Sequence, residues 1–534
     1  MDFSTMSRKQ LEQFAEDYYQ KYQNAQHNAE LYLNQLNRLK NDKYGKKSEK
    51  ISTIQPTLDL FDEADELAAA DEYNEKRINV KSHSRKPKIN AMNHLPEDIE
   101  TEVIEHDTED KTCSKCGGQL HLMNVIERKE LVVIPRKVKL RIHKIYEYGC
   151  RNCEKNDDCG IIKAPGPQLL FDKSPVSIET VGYLMDMKYN LGVPLKRIES
   201  AMKVEGIIFP RNTYARWMIE TAKKYLMVIY DHLHKKLLDH DLIMADETHY
   251  RIYGEKGKKR LGKTYIWIYR TGPYVKHPII LYQYDGGRNG NIPKSFLTEY
   301  SGYLLTDDYS GYNKVTNVTR CLCHAHSRRK YVENIKGKGK NVHEDMPEIK
   351  IVEMYKEVFK ADKKLLEKYQ DNYDKIRELR NQDLNENGED ISVKAKLDDL
   401  YKYLEKLYDE VMPGSPLYQA LSYSISNKEW LYNFLDDGRI PLTNNLTELS
   451  VKPVINVRKS AIFFGSPDGA RSSACILSLI QTAKENGISP YRYICTVLKY
   501  MVERKDDSGN ININEDELES LMPWNIKKAQ VSKT

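Results

Sequence analysis

The chain has no apolar run of about 18 residues, the length that a membrane-crossing helix needs. No membrane partner is expected. Met1-Asp2-Phe3-Ser4 opens neither a signal peptide nor an amphipathic transit segment, so a soluble protein of the cytoplasm is expected. A strong charge excess is also missing, since 83 Lys and Arg stand against 78 Asp and Glu and leave a formal charge of +5. Whole-chain charge therefore makes no case for a polyanionic partner, and only local basic patches can make one. The nine cysteines fall partly into CxxC pairs, which in a reducing compartment favour metal over disulfides. At 534 residues the chain is too long for one core, and about three or four domains are expected.

The rest is organised around Leu242-Ile243-Met244-Ala245-Asp246-Glu247-Thr248-His249-Tyr250. An apolar run ending abruptly in carboxylates reads as a buried strand that delivers an acid, Asp246, to an accessible end. Thr264 to Arg270 alternates Tyr265, Trp267 and Tyr269 with Thr264, Ile266 and Ile268, and the apolar run Pro278 to Tyr282 completes an antiparallel meander. A helix-sized piece, Pro293 to Tyr300, leads to Gly302-Tyr303-Leu304-Leu305-Thr306-Asp307. A strand returning after a helical crossover lies parallel beside an earlier one, so Asp246 and Asp307 are expected side by side. That is the plan of an RNase H-like core, in which adjacent carboxylates hold divalent metals for phosphoryl transfer.

Ahead of this core, Leu11, Tyr18, Ala25, Tyr32 and Leu39 recur every seventh residue, with Ala15, Tyr22, Ala29 and Leu36 in the complementary position. A coiled coil is expected, implying a homodimer, a higher oligomer or a partner helix, against the simpler reading of one amphipathic helix packed on its own domain. Tyr44-Gly45-Lys46-Lys47-Ser48-Glu49-Lys50 reads either as a solvated turn or as a phosphate contact. Arg85-Lys86-Pro87-Lys88, in the linker that follows, is either solvated or a minor-groove arm.

Cys113-x-x-Cys116-Gly117-Gly118 and Cys150-x-x-Cys153 have the spacing of a zinc ribbon, with four thiolates around one Zn2+. Cys159 is an extra candidate ligand. Between the pairs Val138, Leu140 and Ile142 alternate with Lys139, Arg141 and His143, so a strand with one basic face toward phosphate is expected. From Pro175 to Lys224 the period becomes helical. Pro194 to Lys203, the turn Glu205-Gly206-Ile207, and Arg211 to Lys224 have the form of a helix-turn-helix, in which Arg211, Asn212, Thr213 and Arg216 reach DNA, or of an ordinary helical bundle. Tyr214 and Trp217 are expected in the core.

After Asp307 comes Arg320-Cys321-Leu322-Cys323-His324-Ala325-His326-Ser327-Arg328-Arg329-Lys330. These Cys and His lie too close together to surround an ion unaided, so packing is expected of the cysteines and phosphate contact of Arg328, Arg329 and Lys330. Two charged helices, Pro347 to Arg380 and Ile391 to Val411, read as an inserted hairpin. A third acid follows in Thr443-Asn444-Asn445-Leu446-Thr447-Glu448, where local pattern alone favours Asn445 as a helix cap with Glu448 as its reciprocal carboxylate.

Family resemblance favours catalysis instead. Asn444-Asn445-x-x-Glu448, Arg458-Lys459, Phe464, Gly469-Ala470, Thr482-Ala483-Lys484-x-Asn486-Gly487 and Pro490-x-x-Tyr493 resemble the C-terminal catalytic region of the insertion sequence 66 family of bacterial DDE transposases. The resemblance extends to Asp246-Glu247-Thr248, to Leu305-Thr306-Asp307-x-Tyr309-x-Gly311-Tyr312, to Cys323-x-Ala325-His326-x-Arg328-Arg329-Lys330, to the cysteine pairs, to the Tyr44 box and to Met522-Pro523-Trp524. Thr443 and Leu449 depart from the family's pattern.

The resemblance implies a transposase that binds terminal inverted repeats, cuts the 3′ ends of its element and joins them to target DNA. Asp246, Asp307 and Glu448 would hold two Mg2+ (or Mn2+) ions about 4 Å apart. Arg458 and Lys459 would help hold DNA, and small accessory proteins are possible partners. The rival readings are a DNA-binding protein that has lost catalysis and a structure-selective nuclease of the same fold. The expected architecture is a multidomain α/β chain, an RNase H-like core with a helical insertion preceded by coiled coil, zinc ribbon and helix-turn-helix. Its expected units are 1–50 coiled coil and basic box, 51–108 linker, 109–165 ribbon, 166–238 helix-turn-helix domain, 239–335 and 441–500 core, 336–440 insertion and 501–534 tail. A cytoplasmic, nucleoid-associated protein is expected.

Overall fold

The computed structural model describes residues 138–149, 161–253, 261–339, 342–386, 389–461, 464–506 and 508–526, with Arg8, Glu16 and Tyr19. The heptad positions, the Tyr44 box, the Arg85 run and Cys113, Cys116, Cys150, Cys153 and Cys159 lie outside these residues.

The strand expected at 138–142 is absent. Residues 138–146 run without strand pairing and expose both alternating sets, Leu140 at 85%. Alternation makes a strand only when a neighbouring strand supplies hydrogen bonds, and none among the described residues does so here. The first pairing comes just after, where β1 (Glu147–Gly149) runs antiparallel to β2 (Ile161–Lys163).

Four helices follow: α1 (Ile178–Met185), α2 (Leu195–Val204), α3 (Arg211–Thr221) and α4 (Met227–Leu238). Ser177 caps α1, its hydroxyl accepting from Thr180 N at 3.2 Å. Pro194 and Pro210 stand at the N-caps of α2 and α3, where a missing N–H goes unnoticed. Gly206, at φ +78°, makes the turn between these two helices.

The central sheet comprises β3 (Leu242–Tyr253), β4 (Leu261–Thr271), β5 (Ile280–Gln283), β6 (Tyr303–Thr306) and β7 (Thr319–Leu322), in the order β5-β4-β3-β6-β7. Helix α5 (Asn291–Phe296) lies on the crossover from β5 to β6. β3, β4 and β5 pair antiparallel, whereas β6 joins β3 in parallel and β7 joins β6 in parallel. The meander and the parallel return expected from the sequence are both present.

Both faces of β3 are covered, which is why its first half is a continuous apolar run. Ile243 and Ala245 enter one core with residues of α1 to α4, while Leu242 and Met244 enter a second with residues of the insertion. Residues 166–238 therefore bury their apolar surface together with the sheet and the C-terminal helices, sharing one core with them.

The second core is built by α6 (His324–Gly337), α7 (Pro347–Tyr369), α8 (Tyr373–Arg380), α9 (Val393–Glu410), α10 (Pro416–Ser426) and α11 (Lys428–Tyr432). The first long helix expected here breaks at Gln370, whose φ of +41° cannot continue an α-helix. Most insertion charges are solvated, but Arg380 and Asp362 form a fully buried pair at 2.7 Å.

Three more helices close the fold: α12 (Asn445–Ala461), α13 (Pro467–Glu485) and α14 (Pro490–Val502), before a last turn, α15 (Glu515–Ser520). β5 is an edge strand, and α13 covers it. Ser478 Oγ accepts from Tyr282 N at 2.8 Å, and Thr482 Oγ1 accepts from Ile280 N at 3.1 Å while donating to Ile280 O at 3.0 Å. Hydroxyls thus satisfy main-chain groups that an open edge would expose. Asn486 adds a bond from Nδ2 to Pro278 O at 2.8 Å. Much of the Thr482 to Gly487 motif is accordingly architecture.

Candidate active site

β6 pairs with β3 only over Leu242 to Met244, because β6 ends at Thr306. The last parallel pair is Met244 with Leu305, and each aspartate lies two residues further along its strand direction. Extending the register sets Asp246 opposite Asp307, on the face of Met244 and Leu305, with neighbouring strands about 5 Å apart. Burial first, and then the Asp307 carboxylate, push the Asp246 carboxyl up to about 7. Asp246 Oδ1 accepts from Glu247 N at 2.7 Å and Asp307 Oδ1 from Tyr309 N at 3.0 Å. The second oxygen of each takes no hydrogen bond among the described residues.

Glu448 arrives on the first turn of α12, and several bonds seat that turn on the sheet. Asn444, fully buried just ahead of the helix, donates from Nδ2 to Ala245 O at 3.0 Å and accepts at Oδ1 from Thr447 Oγ1 at 2.6 Å. Arg270 on β4 donates to Leu446 O and Ser450 Oγ, both at 2.9 Å. The helix begins at Asn445, so the local cap is Asn444 and its partner is Thr447. Glu448 is one residue too far along to serve as the reciprocal capping carboxylate that local pattern favoured.

The Glu448 side chain, 35% exposed, faces α6: its Oε1 stands 3.4 Å from Arg329 Nη2 and 3.7 Å from His326 Nε2. It is near enough to Asp246 to add to the rise of that carboxyl. Even so, no group of three or more His, Cys, Asp or Glu among the described residues is gathered to ion-holding distance. Asp246 and Asp307 stand together, and Glu448 rests beside Arg329 and His326.

A fourth acid lies beside them. Glu247 follows Asp246 and so points to the opposite face of β3. Its side chain is 1% exposed and accepts at Oε1 from Arg288 Nε (2.8 Å) and Nη2 (2.5 Å), and at Oε2 from Tyr312 Oη (2.9 Å). Burial and then Asp307 push this carboxyl to about 7, while Arg288 and Tyr312 pull the other way. Sequence reasoning passed over Glu247 and Arg288 as functional groups. The available signal was the adjacency of two acids on one buried strand, since the second needs a partner of its own.

The other expected contacts divide by exposure. Arg211, Asn212 and Arg216 lie on the exposed side of α3, with Tyr214 and Trp217 buried beneath as the spacing requires. Lys139 and Arg141 are exposed, Arg141 pairing with Glu179 at 2.7 Å. Arg458 donates to His249 O at 2.7 Å near the far end of β3, and Lys459 beside it is exposed. Lys330 lies over the Tyr423 ring at 4.0 Å, and the Arg329 side chain is about half exposed. Arg328 corrects an expectation: it is 9% exposed, turned into the protein by the helical period that leaves Arg329 outside, and is poorly placed to meet a phosphate. Cys321 and Cys323 are buried as expected, and Cys323 Sγ accepts from Asn444 N at 3.2 Å.

Comparison with known proteins places the chain in a family. The sequence profile described as Transposase IS66 family matches residues 173–472, and that of the IS66 C-terminal element matches 478–524. A zinc-finger binding domain of transposase IS66 matches 110–154, which takes in Cys113, Cys116, Cys150 and Cys153 and stops short of Cys159. A profile described as Transposase C of IS166 homeodomain matches 31–104. Three relatives from Sinorhizobium fredii align at length. Uncharacterized protein y4jD is 27% identical, over 91% of this chain and 93% of its own. Proteins y4qI and y4hP are 26% and 25% identical, covering 80% and 93% of this chain and 76% and 89% of theirs. With its family profile spanning more than half the chain, the protein belongs to the IS66 family of transposases.

Proposed function

We propose that the protein is a DDE-type transposase that binds the terminal inverted repeats of its own element and uses Asp246, Asp307 and Glu448 to cut DNA strands and join them to a target. The register carrying Asp246, within β3, and Asp307, just past the end of β6, to adjacent positions is the main support. The sheet order, three antiparallel strands and then two parallel ones after a crossover, fits an RNase H-like core with residues 336–440 as its insertion.

Carboxylate oxygens are the hard donors that Mg2+ or Mn2+ prefers. Burying Asp246 beside Asp307 is unfavourable for two anions by themselves, so the residues fit a shared cation. Bound there, a divalent ion would lower the pKa of an attacking water or 3′ hydroxyl and offset charge on the leaving oxygen. The chain's own contribution is placement. Asn444 and Arg270 hold the turn that bears Glu448, and a swing of that side chain from Arg329 toward the aspartates completes the set. Cys113, Cys116, Cys150 and Cys153 supply four thiolates for structural Zn2+.

DNA is held in this reading by Lys139, Arg141, Arg211, Asn212, Arg216, Arg329, Lys330, Arg458 and Lys459. The N-terminal heptads provide a homodimer or higher oligomer, and accessory proteins of the element are further partners. No helix among the described residues is long and apolar enough to cross a membrane. The proposed location is the cytoplasm, on the nucleoid.

The deciding assay incubates the purified protein with Mg2+ and the DNA flanking its own gene, scoring nicks at the element boundary. Asp246→Asn, Asp307→Asn and Glu448→Gln are each expected to abolish nicking while leaving end binding intact. Binding without any cutting by the unmodified protein would point to the non-catalytic alternative, and equal cutting of unrelated branched DNA to a structure-selective nuclease.

A further inference from the structure

Arg288 has a setting that the salt bridge to Glu247 does not by itself explain. Two of its nitrogens converge on one carboxylate oxygen, Glu247 Oε1, at 2.8 and 2.5 Å, while Tyr312 bonds the other oxygen. Nη1 is left with no hydrogen-bond acceptor among the described residues, and the side chain remains 39% exposed. The guanidinium also lies over the Tyr309 ring, 3.9 Å from its centroid, with the Tyr265 ring at 5.5 Å. Such stacking favours a planar, weakly hydrated cation.

The ring beneath it is equally constrained. Tyr309 Oη donates to Arg288 O at 3.0 Å, and Tyr309 N donates to Asp307 Oδ1 at 3.0 Å. Gly311 permits this packing, because a Cβ there would collide with the Tyr309 ring. Arg288 is thus tied to both acid-bearing segments: through Glu247, the neighbour of Asp246, to β3, and through Tyr309 to Asp307. A charge held rigidly near Asp307, with unused donors and access to solvent, has the properties of a phosphate-binding group.

We infer that Arg288 binds a backbone phosphate of the DNA strand entering the active site, with Glu247 and Tyr309 as the residues that hold it in position. The inference rests on the reading of the protein as a DNA strand transferase and adds a positioning residue to it. Strand cleavage requires the scissile phosphate in line with its nucleophile, and a fixed cation one phosphate away restrains the strand without entering the chemistry.

The test uses the full-length protein and a duplex carrying an end of its own element, with Mg2+ omitted so that binding is read without cutting. Arg288→Ala is expected to weaken binding about tenfold. It is also expected to lower the slope of log affinity against log salt by about one, the mark of one lost phosphate contact. Arg288→Lys is expected to keep the slope but lose several-fold in affinity, because an ammonium keeps the charge and forfeits the stacked fork. Wild-type affinity and slope in Arg288→Ala would overturn the inference. Should that variant fail to fold, unchanged affinity in Arg288→Lys would overturn it equally. Failure of the unmodified protein to bind the duplex at all would instead overturn the functional reading beneath it, so the two failures are distinguishable.

Discussion

The side-chain amide of Asn444 donates to the main-chain oxygen of Ala245 at 3.0 Å, joining positions 199 residues apart. Ala245 immediately precedes Asp246, and Asn444 immediately precedes the helix that carries Glu448. One buried amide therefore sets the distance between two of the three acids.

Asn444→Ala removes the bond to the Thr447 hydroxyl and leaves the Ala245 oxygen unpaired, and a loss of about 2 kcal/mol or more is expected. Asn444→Asp is the more telling variant. It keeps an acceptor for Thr447 but cannot donate to Ala245, so it should be about as unstable as the alanine variant if the strand contact matters more than the Thr447 bond. Chemical denaturation measures the loss, and nicking should fall more steeply than end binding in both variants. An aspartate variant with wild-type stability and cutting rate would show that the contact does not position Glu448.

The acids predict a pH dependence. Asp246 and Glu247 are pushed up to about 7, by burial first and by Asp307 second. Because the folded chain then holds these protons more tightly than the unfolded chain, metal-free stability falls as pH rises from the ordinary carboxylate range to about 7. The melting temperature with Mg2+ omitted should be lower at about pH 8 than at about pH 5, and Asp246→Asn should narrow the gap. Added Mg2+ should restore stability mainly at the higher pH, where the carboxylates are ionised. A gap of the same size in Asp246→Asn would refute the assignment.

Arg380 anchors the insertion to the chain leading back to the site. It pairs with Asp362 through Nε at 2.7 Å, and its Nη1 donates to Phe434 O, Asp437 O and Ile440 O at 3.1, 3.2 and 3.0 Å. Arg380→Met leaves a buried carboxylate unpaired, at an expected cost of about 3 to 5 kcal/mol in denaturant unfolding. Replacing Asp362 by Leu as well should recover only part of this, because the three carbonyls still lack their donor. Full recovery in the double variant would mean that the carbonyl contacts contribute little.

The ribbon gives a prediction in metal content. Cys113→Ser should lower zinc, measured by elemental analysis, from about one ion per chain and weaken binding to element ends. Cys159→Ser should retain the ion, since the matched zinc-finger region ends at residue 154. Loss of zinc in Cys159→Ser with retention in Cys113→Ser would exchange their roles.

Legibility followed the range of the forces involved. The apolar start of β3, the meander and the return strand leading to Asp307 are legible, because burial on two faces writes a continuous apolar run. The end expected at Asp246 is a correction: β3 pairs with β4 as far as Tyr253 and keeps Thr248, Tyr250 and Ile252 buried, so the acid sits within the strand. The strand at 138–142 was misread, since alternation records what a residue would do in a sheet and not whether a partner strand exists. Arg328 differs from expectation for a related reason: consecutive residues on a helix point about 100° apart, and the sequence does not say which of the three basic residues turns toward the core. Glu247 and Arg288 stand 41 positions apart, and nothing local to either announces the other.

What the order of residues determined by itself is the chemistry on offer: three acids in family motifs, two cysteine pairs, basic residues on helical faces and the strands that carry the aspartates. Tertiary structure alone decided which groups meet. It set Asn444 against Ala245, turned Glu448 toward Arg329 and His326, closed β5 with the hydroxyls of α13, and clamped Arg288 between Glu247 and Tyr309. Patterning and propensity act over a few residues and survive in the sequence, whereas hydrogen bonds and ion pairs act across a few ångströms of space, and only the folded chain brings distant positions that close.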